Sequence, residues 1–183
     1  MWAEDPTDGG NKAVKIDTGP GAPEGCDGCG YPFGGVFREL HATSGQLTGR
    51  LSLDYYLVDR DCGGDSPRLV LGLDLDGDGS YDSFPTGSVG PPPSFVGCTP
   101  NSWEHEDMTD SVARWHVGGG GAGICPLPYS VPWSDVLTCL DTLYPDHRVL
   151  SAWFVDDSYW MPAAAGVVYY DNVEIGGAVL GGP

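Results

Sequence analysis

Positive charge is scarce in this sequence. Its 183 residues contain two lysines and six arginines against 26 acidic residues, so the formal net charge is −18 at pH 7. So few cationic side chains cannot neutralise a series of phosphates, and we expect no nucleic-acid partner. Binding to an anionic membrane surface is disfavoured for the same reason. The sequence also lacks any apolar run of the roughly 18 residues that span a bilayer, so we expect no membrane insertion.

Residues that favour helices are scarce as well. Of the acidic residues 20 are Asp and only six are Glu, while 29 glycines and 16 prolines make up about a quarter of the chain. Asp, Gly and Pro disfavour helix interiors and favour turns, so the composition predicts an all-β protein with many loops. A hydrophobic content of 40% and an aromatic content of 11% favour a folded chain over a disordered one.

Alternating apolar residues predict the strands. Leucines and a tyrosine occupy every second position through much of segment 47–58, and segment 68–75 repeats the pattern. Further strands are expected over 13–17, 35–40, 111–117, 149–155 and 166–175. Only 134–143 predicts a helix, with Ser134 as its N-cap and Pro145 beyond its end.

This pattern predicts an antiparallel two-sheet β-sandwich, specifically a jelly roll with long loops and one short helix. Residues 1–25 are expected to form an N-terminal arm with one strand. Residues 26–183 are expected to form a single sandwich domain.

The six cysteines indicate disulfides and an oxidising compartment. Six cysteines allow 15 pairings, and spacing alone does not choose among them. Pairing of sequence neighbours is our prediction, namely Cys26 with Cys29, Cys62 with Cys98, and Cys125 with Cys139. Cys26-Asp-Gly-Cys29 also has zinc-knuckle spacing, but no second Cys pair or His pair follows at a suitable distance. We therefore expect a secreted or cell-surface protein, with its leader removed because the acidic N-terminus does not resemble a signal peptide.

One motif has the spacing of a calcium loop. The segment 74–82 matches the D-x-D-x-D-G start of such a loop. Its expected ligands are Asp74, Asp76, Asp78, the Ser80 carbonyl and Asp82. Position 12, where an EF-hand places a bidentate Glu, is Pro85, so the remaining oxygens must come from elsewhere in the fold or from water. The alternative is a polar hairpin turn, but four carboxylates within nine residues repel one another unless a cation neutralises them.

No set of residues stands out as catalytic, and we predict that the protein is not an enzyme. The carboxylate pairs Glu104/Glu106 and Asp156/Asp157 could in principle serve a glycosidase, yet adjacency in sequence does not place them across a scissile bond. Three aromatic residues expected in loops, Trp103, Tyr159 and Trp160, are candidates for stacking on sugar rings. The alternative is that these rings plug the ends of the sandwich.

The C-terminal half resembles a known family. Segment 155–160, Val-Asp-Asp-Ser-Tyr-Trp, followed by segment 167–175, Val-Val-Tyr-Tyr-Asp-Asn-Val-Glu-Ile, resembles the closing strands of galactose-binding-like jelly rolls, which include many carbohydrate-binding modules. In that family the Asp of the Asp-Asn-Val sequence can ligate a structural calcium, which implies Asp171 as a further ligand here. The segments 64–69, 73–79 and 90–95, with Cys98 before Trp103, also resemble a family of uncharacterised secreted bacterial proteins.

We therefore expect an extracellular, calcium-binding, non-catalytic β-sandwich module that binds carbohydrate. The alternative is a structural protein that assembles with like subunits through calcium, with residues 12–17 adding a strand to a neighbouring sheet. A halophilic origin is a further explanation of the excess of Asp.

Overall fold

Two antiparallel sheets packed face to face form the protein. The computed structural model describes residues 1–19, 33–63, 66–118, 123–157 and 166–181. The strands are β1 (Trp2–Glu4), β2 (Lys12–Asp17), β3 (Phe33–Ala42), β4 (Leu51–Val58), β5 (Arg68–Asp74), β6 (Thr86–Ser88), β7 (Trp103–Asp107), β8 (Trp115–His116), β9 (Arg148–Asp157), β10 (Val167–Ile175) and β11 (Ala178–Leu180). A helix, α1 (Trp133–Leu143), and a 3₁₀ turn (Ser44–Leu47) complete the elements.

The strand order is that of a jelly roll. One sheet has the order β1-β2-β10-β4-β7, with β11 paired to β10, and the other has the order β3-β9-β5-β6-β8. Along the described strands, the chain crosses from one sheet to the other six times, namely between β2 and β3, β3 and β4, β4 and β5, β6 and β7, β7 and β8, and β9 and β10. The predicted all-β antiparallel sandwich is confirmed.

The alternating segments bury their apolar side chains between the two sheets. In β4 the inward residues are Leu51, Leu53, Tyr55 and Leu57, and each is at most 3% exposed. In β5 the inward residues are Leu69, Leu71 and Leu73, and each is fully buried. Because the side-chain period of a strand is two, this alternation fixes which face of each strand meets the core.

The helix packs against β8 through its first residue. It begins at Trp133, one residue before the predicted start, and its N-cap is Pro132, without a side-chain cap, in place of Ser134. The indole of Trp133 packs against that of Trp115, with ring centroids 4.9 Å apart. This apolar contact extends the buried face of the helix to its first residue.

Two of the predicted disulfides are present, namely Cys62–Cys98 and Cys125–Cys139. Cys125–Cys139 joins the helix to the segment before it. Cys26 and Cys29 lie outside the described residues.

Several predicted elements need correction. Residues 47–50 lie in the end of the 3₁₀ turn and the following turn, so the strand predicted over 47–58 starts at Leu51. The strand predicted over 111–117 is limited to Trp115–His116. β7 lies in a region that was expected to be loop, because its inward residues are glutamates rather than apolar side chains.

The first 19 residues belong to the same sheet as the body of the chain. β2 pairs with β10, and β1 pairs with β2 and forms the edge of that sheet. The strand predicted over residues 13–17 is therefore present as β2 and pairs within the chain. A second strand, β1, precedes it. Across the described ranges, no helix has the length and hydrophobicity needed to cross a bilayer.

Candidate functional site

The acidic loop follows directly from the end of β5. Asp74 is the last residue of that strand and is 1% exposed, whereas Asp76 and Asp78 lie in the exposed turn beyond it. Gly77 and Gly79 have φ values of 81° and 89°, a left-handed conformation in which a side chain is strained. These two glycines allow the chain to turn tightly between alternate aspartates.

The turn brings three carboxylates together. Asp74, Asp76 and Asp78 each offer an oxygen within 4.8 Å of the others. The backbone N–H groups of Gly77 and Gly79 donate to the two oxygens of Asp74, at 2.7 and 2.9 Å. These hydrogen bonds hold the buried carboxylate in a fixed orientation at the base of the loop. An oxygen has two lone pairs, so both oxygens keep acceptor capacity for a cation.

The loop is electrostatically uncompensated in the described part of the chain. Among the described residues, no Lys or Arg forms an ion pair with Asp74, Asp76 or Asp78. Arg148 is the cross-strand partner of Asp74, but its guanidinium donates to the backbone carbonyls of Asp146 and His147. The carboxylates therefore repel one another, and no cationic side chain in the described ranges offsets the repulsion.

The environment nevertheless keeps Asp74 ionised. Burial opposes ionisation of its carboxyl, but the backbone N–H groups of the loop, led by those of Gly79 and Gly77, outweigh burial, and the pKa of Asp74 lies below its usual range. A carboxylate that stays negative at the base of an acidic loop is chemically suited to a hard cation such as Ca²⁺, which prefers oxygen ligands.

The remaining predicted loop ligands occupy different positions. The Asp82 carboxylate accepts a hydrogen bond from the backbone N–H of Leu75 at 2.7 Å and so ties the two ends of the loop together. The N–H of Ser80 donates to the Asp78 carboxylate at 2.7 Å. The Pro85 carbonyl accepts from the N–H of Leu71, so position 12 is held beside β5. The compact cluster therefore comprises the first three aspartates, and the roles of Ser80 and Asp82 remain predictions.

Asp171 lies on the other sheet. It belongs to β10, opposite Asp54 of β4. Its carboxylate accepts hydrogen bonds from the Asn11 side chain at 2.9 Å and from the N–H of Asn172 at 2.8 Å. It is not a member of the carboxylate cluster in the loop. Asp171 thus fastens the N-terminal segment to β10, and its role as a metal ligand remains a prediction.

Trp103 is a strand residue rather than a loop residue. Its indole is half-buried, with its ring centroid 5.6 Å from that of Tyr56. The indole N–H donates to the Thr7 hydroxyl at 3.1 Å and the Asp5 carboxylate at 3.3 Å. These contacts join the N-terminal segment to the edge of the sheet. Tyr159 and Trp160 lie outside the described residues.

A row of aromatic side chains on the outer face of the second sheet was not predicted. Trp153 of β9 lies between Phe37 of β3 and Phe84, with centroid distances of 5.9 Å to each. Tyr81 of the acidic loop continues the row, 5.5 Å from Phe84. We call these four residues the aromatic row.

Sequence reasoning missed the row because its members lie on separate strands or loops. Phe37 and Trp153 become neighbours only through the pairing of β3 with β9, in which they are directly opposite. The one local signal was in β3, where Phe37 has the parity opposite to the buried residues Val36 and Leu40.

Another acidic group lies on the core-facing side of β7. Glu104 and Glu106 are opposite Tyr55 and Leu53 of β4, so both glutamates are on the core side of an edge strand. They line a cleft of about 400 Å³. Glu106 contacts the buried Arg114 guanidinium at 2.7 Å. Burial raises the pKa of Glu106 despite this arginine. Inward charges on an edge strand oppose edge-to-edge association, which gives these residues a structural role.

Two Ser–His contacts resemble nucleophile–base pairs in distance alone. Ser44 Oγ lies 2.8 Å from His147 Nε2, and Ser88 Oγ lies 2.7 Å from His116 Nε2. All four residues are at most 2% exposed. A substrate could not reach these groups without local unfolding, so we assign the contacts to the core. A third cluster, Asp61 with Cys62 and Cys98, offers no thiolate because its cysteines form a disulfide.

Comparison with known proteins adds no family. A scan of the sequence against protein-family models finds no match, and neither the search of curated proteins nor the search of solved structures gives one. The resemblance to galactose-binding-like jelly rolls therefore depends on the residues that carry it and remains a prediction.

Proposed function

We propose that this protein is an extracellular, non-catalytic β-sandwich module that binds calcium in the loop after β5 and recognises carbohydrate. The observation that carries the calcium proposal is the convergence of the Asp74, Asp76 and Asp78 carboxylates within 4.8 Å without an ion-pair partner among the described residues. A divalent cation would remove this repulsion and would join the buried end of β5 to the exposed turn. The two disulfides support an extracellular setting, since disulfides persist in oxidising compartments.

Calcium binding can be tested through stability. A ligand that binds only the folded state at about 100 times its dissociation constant stabilises it by about 2.7 kcal/mol. For a chain of this length that gain corresponds to a rise in Tm of roughly 5–11 °C. We therefore expect a Tm in calcium well above that in EDTA, measured by differential scanning calorimetry, and a heat of calcium binding by isothermal titration.

A pair of matched variants assigns the effect to the loop. Asp78→Asn removes one carboxylate of the cluster and is expected to abolish most of the calcium-dependent rise in Tm. Asp141→Asn makes the same chemical change at an exposed position of α1 and is expected to keep the full rise. A wild-type Tm that is the same in calcium and EDTA would refute the site, as would an equal loss in both variants.

One observation supports self-assembly as a second candidate function. β3 is ten residues long and pairs with β9 on one side, and in the described part of the chain no strand pairs with its other edge. Such an edge can accept a strand from a like subunit. The residues that were expected to add such a strand, 12–17, are already paired within the chain as β2. Light scattering and electron microscopy in millimolar calcium decide this candidate, because a strict monomer would exclude it.

A further inference from the structure

The aromatic row is an exposed apolar strip on a strongly acidic protein. Phe37, Tyr81 and Phe84 are 55%, 49% and 48% exposed. Phe37 lies on the outer face of the sheet, because Val36 and Leu40 of β3 point to the core. Phe84 and Tyr81 continue from it through the ring contacts with Trp153. Exposed aromatic rings in contact with one another across three segments indicate a surface that is covered by a ligand or partner.

The size of the strip argues against a protein partner. An aromatic side chain presents about 150–250 Å², so three half-exposed rings offer roughly 300 Å². Phe33, on the same side of β3 and 78% exposed, raises this total to roughly 450 Å². A stable protein interface buries about 800 Å² on each partner. The strip alone is therefore too small for a stable interface with a second copy of the chain, which favours a smaller ligand.

The charge of the protein restricts the ligand further. At a net charge of −18, the protein repels anionic polymers. The strip itself consists of uncharged rings, with interplanar angles of 31° to 59° between successive members. Such tilted rings can each contact the flat C–H face of a different sugar unit along a twisted chain. An uncharged polysaccharide would escape the repulsion by the acidic protein and would offer a series of sugar faces to the rings.

Tyr81 connects this strip to the acidic loop. It lies between Ser80 and Asp82, and its ring rests on the outer face of β5 at Gly72. A Cβ atom at Gly72 would come within 2.5 Å of Tyr81 Cε1, so the glycine provides the space for the ring. A cation that orders the loop would therefore also fix the fourth ring of the row.

We propose that the aromatic row of Phe37, Trp153, Phe84 and Tyr81 is the binding face for an uncharged polysaccharide, and that calcium in the adjacent loop strengthens this binding by fixing Tyr81. The inference builds on the proposed function, because it names the ligand class and the regulation of the same module.

The experiment is native affinity electrophoresis in gels that contain hydroxyethylcellulose, arabinoxylan, galactomannan, laminarin or anionic polygalacturonate. We expect at least one uncharged polymer, but not polygalacturonate, to retard the wild-type protein. Trp153→Ala and Phe84→Ala are each expected to weaken that retardation at least about tenfold. Trp2→Ala, at an exposed aromatic on the other sheet, is the matched control and is expected to bind as the wild type does. EDTA is expected to weaken binding by the wild type severalfold.

Each result supports or overturns a defined part of the proposal. Absence of retardation by every uncharged polymer overturns it, and so does equal binding by the wild type and both row variants. Loss of binding in Trp103→Ala alone would place the site at β7 instead. A dimer in light scattering that Trp153→Ala dissolves would show that a second copy covers the row. Binding that EDTA does not change refutes the coupling to calcium.

Calcium titration of the same row variants separates this proposal from the proposed function. Row variants that keep wild-type calcium affinity but lose polysaccharide show that both proposals hold. Absence of calcium binding in the wild type refutes the loop site whatever the gels show.

Discussion

Removal of the Cys62–Cys98 disulfide will lower the free energy of unfolding more than removal of Cys125–Cys139. The two bonds close chain segments of 36 and 14 residues. A cross-link stabilises a protein mainly by restricting its unfolded chain, and the restriction grows with the logarithm of loop length. From these separations we expect losses of about 3.8 and about 3.0 kcal/mol.

Local packing contributes little to the difference between the two bonds. All four cysteines are between 2% and 8% exposed, so replacement by alanine removes a similar buried sulfur at each site. The comparison of Cys62→Ala/Cys98→Ala with Cys125→Ala/Cys139→Ala therefore isolates the effect of loop length, which is about 0.8 kcal/mol.

Equilibrium unfolding in urea, at constant calcium, measures both losses. The slope of free energy against urea reports whether the unfolded states have become more exposed, as removal of a cross-link requires. The reasoning is refuted if the order of the two variants is reversed, or if either loss is below about 1 kcal/mol.

Two further predictions concern buried charge. The pKa of Asp5 lies below its usual value of 3.8: burial opposes ionisation, but hydrogen bonds from the N–H and hydroxyl of Thr7 and other donors outweigh burial. Asp5 therefore adds stability above its unfolded pKa and loses this contribution as pH falls through the lower folded value. Thermal unfolding from about pH 6 to about pH 2 should show a smaller loss of stability in Asp5→Asn than in the wild type, and parallel curves would contradict this account. Arg60→Met will destabilise the protein in urea by about 3–5 kcal/mol, because Arg60 contacts the fully buried Asp156 at 2.6 Å. Adding Asp156→Asn should recover part of that loss, and a variant as stable as the wild type would exclude a role for this ion pair.

The central strands were predictable from sequence because one rule governs them. Apolar residues at every second position in β4 and β5 place their leucines on one face of each strand, and that face packs in the core. The same rule failed at β7, where Glu104 and Glu106 take the inward positions. Their position depends on pairing with β4 and on the buried Arg114, neither of which is visible in a local window.

The two candidate sites also differ in how far they were predictable. The acidic loop was found because its three aspartates and two glycines act within a few residues of one another. The aromatic row was missed because the pairs Phe37–Trp153 and Trp153–Phe84 each join residues that are far apart in sequence. Asp171, a metal ligand implied only by the resemblance, lies on the other sheet opposite Asp54, and its role as a ligand remains a prediction.

The sequence by itself determined the class of fold and the tight acidic turn at the end of β5. These features depend on composition, side-chain parity or contacts between near neighbours, which a linear chain displays directly. Only the tertiary structure decided which side chains share a face, where the N-terminal strands pair and which aromatic rings meet. Those choices depend on strand register and on contacts between residues up to 160 positions apart, such as Asn11 and Asp171. That register is set by the packing of the whole sandwich rather than by any local pattern.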